Sequence, residues 1–210
     1  MDSGSSTPCW LAWAQEIQAL SQTGLTFSES EYDTLRYQRL MEIAGEIVHK
    51  QTGLPLDSLL QDFRMQPGYA TPKVDVRGAV LRNGKILLVQ ERADERWCMP
   101  GGWADVGDLP SEMVIREVWE ESGFDVLPAK VVGVFDANRE GTPLEFYHAY
   151  KIVFLCELTG GRARPSSETL AVGFFDFDDL PSLSSSRTNK RHLAEVLAHL
   201  GDPNRPAMFD

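Results

Sequence analysis

The sequence predicts an α+β protein: a small all-α N-terminal domain followed by a β-rich domain with a mixed sheet and one central helix. Two changes along the chain predict it. Up to about residue 66, apolar residues recur at three- and four-residue intervals, the period of a helix face. Beyond residue 72 they alternate or run together between turn signals, as strands do. Between the two regimes lies QPGYATP (66–72), whose two prolines and glycine mark a connector. The expected division is a helical domain over 1–66 that also serves dimerisation, a linker over 67–72, and a second domain over 73–210.

Each element has its own signal. Residues 9–21 place Trp10, Trp13, Ala14, Ile17 and Leu20 on one helical face. Ser28 and Glu31 form an S-x-x-E capping box, with Phe27 and Tyr32 where a hydrophobic staple belongs. A second helix should therefore start at Ser28, pass through Leu40, Ile43 and Ile47, and stop at Gly53. A third follows Pro55 and ends near Phe63. Val74, Val76 and Val80 lead into Asn83-Gly84, a strong short hairpin signal, and 86–89 returns as the partner strand. Pro110 suits the first turn of the central helix and Gly123 its stop. Further strands are expected at 131–136, 146–157 and 173–177, then a closing amphipathic helix over 187–200.

Composition narrows the function. With 20 Lys and Arg against 31 Asp and Glu, the 210-residue chain carries a net charge of −11. That excludes a phosphate-backbone binder, which needs clustered cations, and means that any anionic ligand needs a metal as intermediary. Cys9, Cys98 and Cys156 are odd in number, far apart and without C-x-x-C spacing, the pattern of reduced thiols in a cytoplasmic protein. The first basic residue is Arg36, so no positively charged leader is expected, and no apolar run has the length of a membrane span.

The chemistry concentrates in GGWADVGDLPSEMVIREVWEESGF (101–124), a glycine-led loop followed by a helix with Glu117, Glu120 and Glu121 on one face. Like charges at i, i+3 and i+4 repel, so the arrangement gains from a cation, and carboxylate oxygens suit Mg²⁺ or Mn²⁺. Gly101 and Gly102 let backbone approach a phosphate or a metal, or make a plain turn. His49, His192 and His199 lie on helical patterns without evident partners and receive no role.

This segment resembles the signature of the Nudix hydrolases: G, five residues, E, seven residues, then R-E-hydrophobic-x-E-E-x-G-hydrophobic. Gly102, Arg116, Glu117, Val118, Glu120, Glu121, Gly123 and Phe124 match in register, and Asp108 stands where the family has its first Glu. The resemblance implies an α/β/α sandwich over about 73–200 and metal-dependent hydrolysis of a nucleoside diphosphate linked to a second moiety. It implies Mg²⁺ or Mn²⁺ held by Glu117, Glu120, Glu121 and Gly101, Arg116 orienting a carboxylate, and Glu117 or Glu168 as base. A narrower resemblance rests on GYATPKVDVRGAV, MPGGWADVG and the N-terminal helical segment, which look like the bacterial subfamily with an added helical domain. Its members include CDP-choline and ADP-ribose pyrophosphatases.

That likeness implies a homodimer through the N-terminal domain. It also makes Lys73, Asp75 and Arg77 candidates for substrate contact, beside Gly102, Trp103 and Asp105 of the glycine-led loop, although the alternation of the first three with Val74 and Val76 equally suits an edge or half-exposed strand. The substrate order is CDP-choline, cleaved to CMP and phosphocholine, ahead of ADP-ribose. Quaternary ammonium groups are recognised by aromatic faces and carboxylates, and Trp103, Phe135, Tyr147 and Asp105 are candidates for that recognition, while Trp103, Phe135, Tyr147 and His148 are also natural core or cleft-wall residues. The competing readings are a Nudix-fold nucleotide sensor without catalysis and a nucleoside triphosphate hydrolase.

Overall fold

The structure, a computed structural model, describes residues 8–105, 107–137 and 146–210; residues 1–7 of the expected first domain lie outside them. The described residues form two compact units, one of 8–72 and 146–148, the other of 73–105, 107–137 and 149–210.

The first unit holds α1 (Cys9–Phe27), α2 (Glu31–Thr52) and α3 (Leu56–Arg64). Helix α1 runs six residues past the expected end, so Ser28 closes it, its N–H donating to the Gly24 carbonyl. The capping box expected at Ser28 and Glu31 is therefore not the one used. Ser30 caps α2 instead, its hydroxyl accepting from the Asp33 N–H, and Phe27 and Tyr32 stay exposed rather than forming a staple. Gly53, in the left-handed conformation, ends α2 as expected.

The face expected to be buried on α1 is split. Ala14 is buried, and Trp10 and Ile17 pack against small clusters around Val48, Leu59, Met41 and Phe63. Trp13 and Leu20 point to solvent, while Gln18, Ser21 and Gln22 are buried in their place. These buried polar groups are satisfied locally: Gln18 donates to the Gln22 side chain at 3.0 Å, Gln22 donates to the Gly68 carbonyl at 3.2 Å, and the Ser21 hydroxyl donates to the Ile17 carbonyl. Phe146, expected to begin a strand, instead stacks on Phe63 with ring centroids 4.6 Å apart.

The second unit contains β1 (Lys73–Arg82), β2 (Lys85–Glu91), β3 (Trp97–Cys98), α4 (Pro110–Ser122), β4 (Phe124–Asp136), β5 (Ala149–Gly161), β6 (Thr169–Phe175), α5 (Lys190–Gly201) and β7 (Met208–Phe209). Asn83 and Gly84 take positive φ and turn β1 into β2. The strand order is β3-β2-β1-β5-β4-β7, with β6 pairing antiparallel to β2. Strand β1 is central. Residues 73–80 pair in parallel with β5, and 81–82 pair with β2, so the half-exposed strand is corrected to a buried one.

Alternation along β1 divides the core. Val76 and Val80 join Met113, Val114 and Val118 of α4, whereas Ala79 joins Leu193 and Val196 of α5. The result is the expected α/β/α sandwich. Strands β4 and β5 exceed their expected lengths, and the two-residue strands β3 and β7 had no readable pattern.

Candidate active site

The free edge of β1 holds the glycine loop. The Val76 N–H donates to the Gly102 carbonyl, Gly78 N–H to Pro100, and Ala104 N–H to Val74, all at 2.8–2.9 Å. At Gly101 this approach forces glycine. Its φ is +145°, and a Cβ would sit 1.9 Å from the Val76 carbonyl oxygen, far inside contact distance. Gly102 has a different reason: a Cβ there would lie 2.9 Å from Glu117 Oε2.

Opposite the loop, α4 begins with Pro110 in its first turn and ends at Gly123, left-handed at φ +76°. Its buried stripe of Met113, Val114 and Val118 fixes the rotation of the helix. That rotation turns Glu117, Glu120 and Glu121 toward a cavity of about 460 Å³, within the about 300–1,000 Å³ common for ligand sites. Gly101, Gly102, Trp103, Arg77 and Glu168 share its wall.

Burial leaves the three carboxylates in unequal states. Glu121 is buried and accepts the Gly101 N–H at 2.9 Å. Desolvation pushes its carboxyl up to about 8, against the opposing pull of Arg77 and that N–H. Glu117 is raised too, first by burial and then by the neighbouring Glu120 charge. Glu120 is exposed, so its rotamer is open to change. Among the described residues no three His, Cys, Asp or Glu side chains are already arranged to hold a metal ion. The donor set nonetheless fits one, because oxygen-only carboxylates are crowded beside one another and short of countercharge.

The other expected residues fall in distinct places. Arg116 is not on the cavity wall. Its guanidinium makes a two-pronged pair with Asp108 at 2.8 and 3.1 Å and reaches Glu117 at 3.5 Å, holding the Asp108 carboxyl below its ordinary value. Asp108 thus ties the loop to α4. Asp105 is exposed at the loop surface. Lys73 lies exposed at the start of β1, away from the cavity wall. Asp75 lies behind Arg77, its carboxylate engaged by both Arg77 and Lys151, which corrects the expectation of a substrate contact. Arg77 spends its other donors on the Met99 carbonyl and the Cys98 sulfur, and Asp75 raises its pKa although burial opposes the charge.

Phe135 is also corrected. It is fully buried in the α5-side core beside His192 and cannot face a choline group. Tyr147 packs edge-on against Phe146 in the first unit. Trp103, half exposed on the cavity wall, is the aromatic residue from that set positioned there.

Glu91 and Arg187 also line the cavity and were not identified from sequence. Glu91 carried a faint signal, a carboxylate closing the apolar run KILLVQE. Arg187 sits in an irregular serine-rich stretch where no spacing could have marked it.

Residues 72–199 match the family described as the NUDIX domain, and residues 8–63 match a UDP-X-like, N-terminal oligomerisation domain. A Bacillus subtilis protein named "Putative ADP-ribose pyrophosphatase YjhB" is 39% identical over 201 residues, covering 96% of this chain and 97% of that protein. A solved ADP-ribose pyrophosphatase from Streptococcus suis is 38% identical with a TM-score of 0.59, covering 67% of this chain and 100% of its own. A solved UDP-X diphosphatase is 31% identical with a TM-score of 0.62 and covers 96% of this chain and 98% of its own. Among the described residues no helix is long and apolar enough to cross a membrane.

Proposed function

The chain belongs to the Nudix hydrolases, pyrophosphohydrolases of nucleotide derivatives, and from that premise we propose that it cleaves the diphosphate of a nucleoside diphosphate linked to a sugar, ADP-ribose foremost. The observation that carries the reading is the convergence of Glu117, Glu120 and Glu121 on the cavity walled by Gly101 and Gly102. Two relatives with high coverage carry ADP-ribose in their names, which moves that substrate ahead of CDP-choline. CDP-choline stays second on the strength of Trp103, a half-exposed indole face suited to a quaternary ammonium.

Glu117, Glu120, Glu121 and the Gly101 backbone are the groups that would hold Mg²⁺ or Mn²⁺. Such a cation supplies countercharge to the diphosphate and lowers the pKa of an attacking water. The protein's own residues do the rest. Glu117 or Glu168 takes the water proton at a carboxylate oxygen as the P–O bond to the leaving phosphate breaks, giving AMP and ribose 5-phosphate from ADP-ribose. The Gly101 N–H holds Glu121 in one rotamer, and Arg116 holds Asp108 and the loop against α4. The reaction therefore needs little rearrangement at the moment of transfer.

A product-resolved comparison of ADP-ribose, a UDP-sugar and CDP-choline with Mg²⁺ and Mn²⁺ tests the substrate. The expected order of kcat/KM places ADP-ribose first, and a clear excess for CDP-choline reverses it. Glu120→Gln and Glu121→Gln should each lower kcat by about a hundredfold or more. Full turnover in both removes these carboxylates from the machinery, whereas no turnover in the parent chain with tight nucleotide binding supports a sensor instead. We also propose that the protein is a homodimer formed through its N-terminal helices, consistent with the oligomerisation domain matched there.

A further inference from the structure

Resting on the diphosphate-hydrolase reading, we propose that Arg187 is the phosphate-binding cation of this cavity, held poised at its rim by Glu91, Asp94 and Ser184. The cavity wall carries five carboxylates, Glu91, Glu117, Glu120, Glu121 and Glu168, against two guanidiniums, Arg77 and Arg187. A substrate with two or more phosphate charges entering such a wall needs a cation that can turn donors toward it. Arg77 is less able to do so: it is buried, with Nε and Nη2 facing Asp75 and Nη1 directed at the Met99 carbonyl and the Cys98 sulfur.

Arg187 differs on each count. Its side chain is 31% exposed. Nη1 donates to the Ser184 hydroxyl at 3.1 Å and lies 3.5 Å from Asp94, while Nε lies 3.5 Å from Glu91. Nη2 donates no hydrogen bond among the described residues. The two carboxylates are therefore at ion-pair distance rather than in tight hydrogen bonds, so donors can pass to a phosphate while the charge stays anchored. The anchor is itself fixed. Glu91 is buried and accepts the Cys98 thiol at 3.1 Å, and Ser184 donates to Asp94 at 2.7 Å. A guanidinium oriented in advance loses less freedom on binding than a lysine would, and its fork matches two phosphate oxygens.

Steady-state kinetics on ADP-ribose with Mg²⁺ test the assignment, using Arg187→Ala, Arg187→Gln and Arg187→Lys beside Glu120→Gln. The expected result is a KM raised about 10- to 100-fold in the Ala and Gln variants, the scale of a hydrogen bond to a charged group, with kcat changed far less and Lys intermediate. Added guanidinium ion should restore part of the loss in Arg187→Ala. Calorimetry of AMP binding should show the same ranking. A KM within twofold of the parent in both the Ala and Gln variants overturns the proposal. That outcome leaves the hydrolase reading intact if the parent chain cleaves ADP-ribose and Glu120→Gln is strongly impaired, whereas a parent chain without turnover sinks the reading itself. Thermal melting separates loss of the subsite from collapse around Glu91, and Arg187→Lys carries the test if the shorter variants unfold.

Discussion

Helices α1 and α4 differ in how much large apolar surface they leave exposed: Trp13, Leu20 and Phe27 on α1 against Trp119 on α4. Helix α4 turns Met113, Val114 and Val118 inward, and the carboxylates on its flank are placed by that packing. Helix α1 buries Gln18, Ser21 and Gln22 and leaves Trp13 62% and Leu20 59% exposed. Exposed Phe27, Tyr32 and Leu35 extend the apolar surface of the same unit. A helix that finds its apolar partners within its own unit can carry charges for chemistry. One that leaves Trp13, Leu20 and Phe27 outside together is suited to finding a partner in another copy of the chain.

The sharpest way to break this contrast is to charge the outer face of α1. Trp13→Asp combined with Leu20→Asp should convert the protein from about twice the 23.5 kDa chain mass to a monomer in light scattering. A parent chain that is monodisperse and monomeric at micromolar concentration refutes the dimer.

Next in size is the tie between loop and helix in the second unit. Asp108→Ala releases Arg116 and should lower kcat by about 10- to 100-fold, the usual cost of losing a group that orients a ligand-bearing side chain. Asp108→Glu should recover most of it, since the carboxylate survives. Equal losses in both would mean that length, not charge, is what the position selects.

A smaller effect comes from His192, buried beside Phe135. Burial first, and then the Lys151 and Arg191 charges, lower its pKa to about 3 from 6.5, with Asp75 opposing. The unfolded chain therefore binds the extra proton first. Stability is complete above about pH 6.5 and is lost as pH falls toward 3, by up to about 1.4 kcal/mol per pH unit. Urea titrations at pH 7 and pH 5 should show this slope, and His192→Gln, which keeps a polar acceptor for the Asn189 N–H now bonded to His192 Nδ1, should flatten it.

The smallest effect discriminates between two serines. Ser30→Ala should cost about 1 kcal/mol as a true cap, and Ser28→Ala clearly less. A reversed order in chemical denaturation would restore the Ser28 box.

These cases show which information the linear chain carries. The register from Gly102 to Phe124 was legible because its charges, proline and glycine act within one loop and one helix. The cap was misread because Ser28-x-x-Glu31 and Ser30-x-x-Asp33 are both acceptable, and only the end of α1 at Phe27 decides between them. The face of α1 was misread because periodicity reports that a face is apolar without saying what covers it. Asp75 looked available because alternation cannot distinguish a central strand from an edge, and Lys151, its partner, lies 76 residues away. Glu91 and Arg187 meet only through the fold.

The hydrogen bonds that join residues 100–104 to β1 also set when the loop can open. The Ala104 amide is donated to Val74, and the Val76 and Gly78 amides are donated to the loop, while β5 occupies the other edge of the strand. These protons should exchange with solvent together and slowly, at a rate tied to opening of the sheet's central strand rather than to local fraying. The floor of the cavity would then belong to the longest-lived cooperative unit of its domain, leaving the faster motions to the rim.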